Sequence, residues 1–100
     1  MVQATTPTYV ITLPNTVDLT EIQNMYFSLT SGQTTIVKTG TDCVIDGQTV
    51  SVYLTQAETL PFKAGFAQLQ LNWTYANGAR ACSEILSVPV GNNLLKEVVD

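Results

Sequence analysis

At 100 residues the chain has room for one domain with a single core. It is 45% hydrophobic but only 12% charged, with four basic against eight acidic residues, no His and a formal net charge of −4. So few cations argue against a nucleic-acid partner or an anionic membrane surface. The missing His removes the commonest general base and the commonest metal ligand.

The charge deficit is filled by Thr, Ser, Asn and Gln, the make-up of a β-rich domain with neutral polar strand faces. The opening Met1-Val2-Gln3-Ala4-Thr5-Thr6-Pro7 has neither the basic start nor the apolar run of a secretory leader. No apolar run approaches the ~18 residues of a membrane span. The expectation is synthesis in the bacterial cytoplasm, where Cys43 and Cys82 stay free thiols. Their spacing fits no zinc pattern.

Period-two alternation, the signature of strands, recurs from end to end. Thr8–Leu13 is the first strand, stopped by Pro14 and Asn15. Asp18–Ile22 reads as a turn or one helical turn that Asp18 can cap. Asn24–Thr30 follows, with Met25, Phe27 and Leu29 on one face and Tyr26, Ser28 and Thr30 on the other. Ser31-Gly32 turns the chain into the β-branched run Thr34–Thr39. Cys43–Ile45 and Thr49–Leu54 flank Asp46-Gly47, which predicts a type I′ hairpin.

Thr55-Gln56-Ala57-Glu58 matches a capping box, and Pro61 limits the helix to about one turn. Leu60 and Phe62 then fold back onto the core. Gly65–Tyr75 is the clearest strand, with Ala67, Leu69, Leu71, Trp73 and Tyr75 on one face. Asn77-Gly78 predicts a second type I′ turn, and Ala79–Val88 returns as one strand until Pro89 and Gly91. Leu94, Leu95, Val98 and Val99 fall at helical spacing in a piece too short for a stable isolated helix; a strand or an extended arm is the alternative.

The sum is an all-β fold of about seven short strands, an immunoglobulin-like two-sheet sandwich with one helical turn near 55–61; a small barrel is the alternative. Residues 1–91 form the sandwich domain and 92–100 a C-terminal apolar arm.

Chemistry-bearing candidates have structural explanations. Glu58 and Glu84 could pair in a glycosidase cleft, but one reads as a helix cap and the other as a solvated strand face. Ser83 has no His to activate it. Asp42 and Asp46 are too few ligands for calcium and suit turns instead. Trp73 could stack on a sugar, yet its parity places it with Leu69 and Leu71 in the core. Tyr26, Tyr53 and Phe66 have outward parity and mark a contact site if they cluster. Leu94, Leu95, Val98 and Val99 either pack on their own sandwich or dock on a neighbour. No catalytic residue, metal or cofactor is expected.

The stretches DLTEIQNMYFSLTSG, DGQTVSVYLTQAETLPFKAGFAQLQLNWTYANG and LLKEVV resemble small structural proteins of tailed phages and prophages of Gram-positive gut bacteria. The N-terminal immunoglobulin-like domain of phage baseplate upper proteins is similar in layout, and LTQAETLPFKAG followed by LQLNW is the most distinctive part. The resemblance implies a non-enzymatic virion component from tail, baseplate, neck or head. Its partners would be other virion proteins and further copies of itself. Baseplate upper proteins continue into longer chains, so their mode of attachment is not implied here. The competing expectations are a carbohydrate-binding or adhesion module and a protein-binding regulator carried on a prophage.

Overall fold

A computed structural model of the protein describes residues 1–95. Within them, eight strands form two antiparallel sheets, packed as a β-sandwich. The strands are β1 (Thr8–Thr12), β2 (Ile22–Ser31), β3 (Thr34–Thr39), β4 (Cys43–Asp46), β5 (Thr49–Tyr53), β6 (Gly65–Tyr75), β7 (Arg80–Cys82) and β8 (Leu86–Val90). One α-helical turn, α1 (Gln56–Thr59), lies between β5 and β6. The small sheet runs β1-β5-β4; the large sheet runs β3-β2-β6, with β7 and β8 end to end along the far side of β6. This is the immunoglobulin-like order, strands B-E-D facing C′-C-F-G.

The core follows from strand parity. Met25, Phe27 and Leu29 of β2 stand opposite Trp73, Leu71 and Leu69 of β6. Ile11 and Leu13, Val50, Val52 and Leu54, and Cys43 close the cluster from the other sheet. Phe62, after the helical turn, is buried among them as expected. Tyr9 packs on Phe27 with ring centroids 6.1 Å apart. Its hydroxyl is buried without a hydrogen-bond partner among the described residues, and burial pushes its pKa up.

The returning strand is not continuous. Ser83, Glu84 and Ile85 stand opposite only Gln70 and Leu71, so a bulge separates β7 from β8. Ser83 holds it: its hydroxyl accepts from the Leu71 amide at 3.0 Å and donates to the Glu84 carbonyl at 3.0 Å. Inward parity therefore switches from Ala81 to Leu86, Val88 and Val90. Pro89 lies inside β8, a position open to proline because the strand is at the sheet edge.

Both hairpins form where expected, with different turns. Gly47 at φ +59° is the positive-φ residue of a two-residue Gly47-Gln48 loop, the type II′ pattern. At the second, Gly78 donates to the Tyr75 carbonyl at 3.0 Å and the Tyr75 amide to Ala79 at 2.9 Å. Gly78 at φ +88° completes a three-residue loop. Asp18 caps a 3-10 turn (Leu19–Glu21), accepting from the Thr20 amide at 3.0 Å.

The two long sides of the sandwich differ. On one side the chain crosses from β3 to β4, and α1 is tied to β3 by Lys38–Glu58 at 2.7 Å. Glu58 also accepts from the Thr55 amide at 2.8 Å while Thr55 Oγ1 accepts from the Glu58 amide at 3.3 Å, the predicted capping box. On the other side, among the described residues, only Met1–Gln3 lies along the large sheet, running parallel to the end of β8: Met1 donates to Pro89 at 2.7 Å, Gly91 to Met1 at 2.7 Å and Gln3 to Gly91 at 3.2 Å. The buried Gln3 side chain donates to the Phe62 carbonyl, and Thr59 Oγ1 accepts from the Thr5 amide at 3.0 Å.

Thr55→Ala should cost about 1 kcal/mol in equilibrium denaturation. Burial raises the pKa of Glu58, but the Lys38 ammonium and the Thr55 donors outweigh it and leave the carboxyl below its ordinary 4.5. A depressed carboxylate contributes stability in full above its unfolded value, and that contribution is lost as pH falls through the folded value. Denaturation midpoints followed downward from pH 5 should therefore fall less steeply for Glu58→Gln than for the wild type.

Candidate functional site

The open side carries the site. β1 pairs with β5 alone, so its other edge has no strand beside it among the described residues. β7 and the start of β8 are the facing edge of the large sheet. Between these edges lies an apolar groove of about 500 Å³, walled by Ile11, Leu13, Val17, Ala81 and Leu86 with Trp73 at its base. In a seven-strand immunoglobulin sandwich a first strand lies beside the strand that β1 represents. Here that place is empty among the described residues, and Met1–Gln3 covers only the far end of β8.

Local sequence explains each wall. Ala81 is the small residue opposite Trp73. The bulge residues Ser83 and Glu84 line the groove together with Leu86, which is 42% exposed. The loop Pro14–Val17 is held by Gln48, whose side-chain amide donates to the carbonyls of Pro14 at 2.8 Å and Val17 at 3.0 Å, while Leu13 donates to the Gln48 carbonyl at 2.8 Å. Trp73 is 2% exposed and its indole donates to the Tyr75 hydroxyl at 2.9 Å. It is a core residue, and its ring face is not offered to a sugar. Cys82 lies at the groove and is an exposed free thiol. Cys43 is free but buried; burial, and then the Asp42 charge, raise its pKa.

The outward aromatics are not brought together. Tyr26 and Phe66 share the outer face of the large sheet, but Phe66 is six residues along β6 from Asn72, the partner of Tyr26, about 20 Å away. Tyr53 is on the outer face of the opposite sheet, beside Thr8. Beside Tyr26 the large-sheet face carries exposed Val37 and polar side chains that bond one another: Arg80 to Asn72 at 3.2 Å, Asn24 to Thr74 at 3.2 Å, Thr30 with Thr35 at 2.8 Å. Glu58, beside β3, and Glu84, beside β7, lie at opposite edges of the large sheet, three strand spacings or about 14 Å apart. Asp42 ends a 3-10 turn (Gly40–Asp42) and Asp46 ends β4. Among the described residues no three His, Cys, Asp or Glu side chains are grouped to hold a metal.

After Gly91 the chain leaves the sandwich. Asn93 is bound to Gln3 twice, donating from its amide to Oε1 at 3.3 Å and from Nδ2 to the carbonyl at 2.9 Å. Leu94 then stands wholly in solvent, at 101%, and Leu95 is half exposed. Val98 and Val99 lie outside the described residues.

The groove was missed by sequence reasoning because it arises from a strand that β1 does not have. No protein-family model, no curated protein and no solved structure matches this chain.

Gln48→Ala should remove both short bonds to the groove wall and cost about 1–3 kcal/mol. Amide exchange should rise at Val17, which donates to Pro14 at 3.0 Å, more than in β6.

Proposed function

We propose that the chain is a non-enzymatic structural module of a tailed phage or prophage particle, acting through protein–protein contacts at its sheet edges and its C-terminal segment. The observation that carries the contact reading is the uncovered apolar groove between two strand edges, together with the exposed leucines after Gly91. Unpaired strand edges are templates for a further strand, and monomeric proteins usually blunt or cover them. Here the β1 edge has no helix or strand over it among the described residues.

The phage assignment rests on the sequence resemblance through LTQAETLPFKAG and LQLNW. The low charge suits a module that works by shape and backbone pairing rather than by long-range steering. Glu58 and Ser83, the side chains with the most chemistry in them, are occupied in a helix cap and a bulge. Among the described residues no helix is long and apolar enough to cross a membrane.

Mass spectrometry of purified particles from the host strain should find the protein at a fixed ratio to the other virion proteins. Its recovery only in the soluble host fraction would remove the virion reading in favour of an intracellular regulator.

A further inference from the structure

We propose that the edge groove is filled by the Leu94–Leu95 segment of a second copy of this chain. The inference deepens the contact reading above and rests on it. Three observations point to a second copy rather than to the chain's own leucines.

The first is reach. Leu94 and Leu95 follow Gly91 by three and four residues, which extend at most about 10 and 14 Å. The middle of the groove, at Ala81 opposite Trp73, lies ten strand residues back along β8 and β7, about 30 Å from Gly91.

The second is anchoring. Asn93 is fixed to Gln3 by two hydrogen bonds, and its side chain also accepts from the Leu95 amide at 3.1 Å. This holds the start of the segment at the Gly91 end of the sandwich. Met1–Gln3 already occupies the edge of β8 from Pro89 to Gly91, so the path back along that edge is closed.

The third is complementarity. The groove lining is mainly apolar and its Leu86 is 42% exposed, while the segment presents two exposed leucines, Leu94 at 101% and Leu95 at 52%. The backbone edge of β1 supplies hydrogen-bonding groups for an incoming extended segment. Donor and acceptor are different patches of one surface. Reciprocal exchange between two copies closes a dimer, and one-way exchange builds a chain of copies.

Cys82 at the groove allows a direct test in the full chain. Leu95→Cys should form, under mild oxidation, a reducible dimer or ladder on a denaturing gel, and Cys82→Ser in the same chain should abolish it. In parallel, Leu94→Asp with Leu95→Asp, both at exposed positions, should weaken self-association by light scattering at least about tenfold while leaving the circular dichroism unchanged.

Bands that survive Cys82→Ser, a bond formed within one chain, or no bond at all would overturn the proposal. If the wild-type chain self-associates and the Asp pair leaves that association intact, the groove assignment falls while the contact reading stands. If the wild-type chain stays monomeric at every concentration, the groove assignment falls, and if it is also absent from particles the contact reading falls with it.

Discussion

The register of β2 on β6 is the constraint on which the other elements depend. The pairs Met25–Trp73, Phe27–Leu71 and Leu29–Leu69 put three of the largest core residues of each strand on one side of the large sheet. A slip of β2 by one residue would turn Tyr26, Ser28 and Thr30 toward the core beside Leu69, Leu71 and Trp73 of β6, placing hydroxyls where Met25, Phe27 and Leu29 now pack. Irregularities are therefore confined to places where this central pairing is not disturbed. One lies at the entry to β2, where the register shifts between Ile22 and Asn24. The other lies on the outer neighbour of β6, between β7 and β8. The second lies at the groove, where the bulge residues Ser83 and Glu84 and the first residue of β8, Leu86, line the opening.

Much of the architecture was legible in the residues. A strand with one wet face writes its parity directly into the chain, so β2, β3, β5 and β6 were readable to within a residue or two. The helical turn was readable because a capping box is a local device, complete within Thr55–Glu58. Turn type was less legible. Asp46-Gly47 and Asn77-Gly78 located the hairpins, but which residue takes positive φ depends on where the flanking ladders stop, and that is decided across the sheet. The bulge was hidden for the same reason: Ala79–Val88 contains inward residues of both parities, and only the partner strand tells where they exchange. Parity also cannot say which of two sheets an outward residue decorates, which is why Tyr53 and Tyr26 proved to lie on opposite faces of the sandwich.

The asymmetry between the two long sides of the sandwich has a physical cost that the sequence handles on one side only. Beside β3, the aliphatic stem of Lys38 and its ion pair with Glu58 bring α1 against the sheet, and the β3–β4 crossover covers the rest. Beside β1 and β7, the groove keeps Trp73, Ile11 and Leu13 buried and leaves Leu86, at 42%, in water. Leaving Leu86 wet forfeits burial worth about 25 cal/mol per Å². Gln48 nevertheless spends its side-chain amide on holding the wall in place rather than letting the Pro14–Val17 loop collapse across the gap. A shape maintained at that expense is consistent with a site that is meant to be filled.

What fills it has few electrostatic features to recognise. The outer faces of both sheets are short of charge, and the amides and hydroxyls of the large sheet already satisfy one another. Attraction at a distance is therefore weak, and discrimination falls to contacts made at close range: the fit of aliphatic side chains over Trp73 and hydrogen bonds along the β1 edge. Occupancy of such a contact rises when the two parts are held at high local concentration. An array of identical subunits supplies that condition, since each copy would bring an exposed Leu94-Leu95 segment close to a neighbour's open edge.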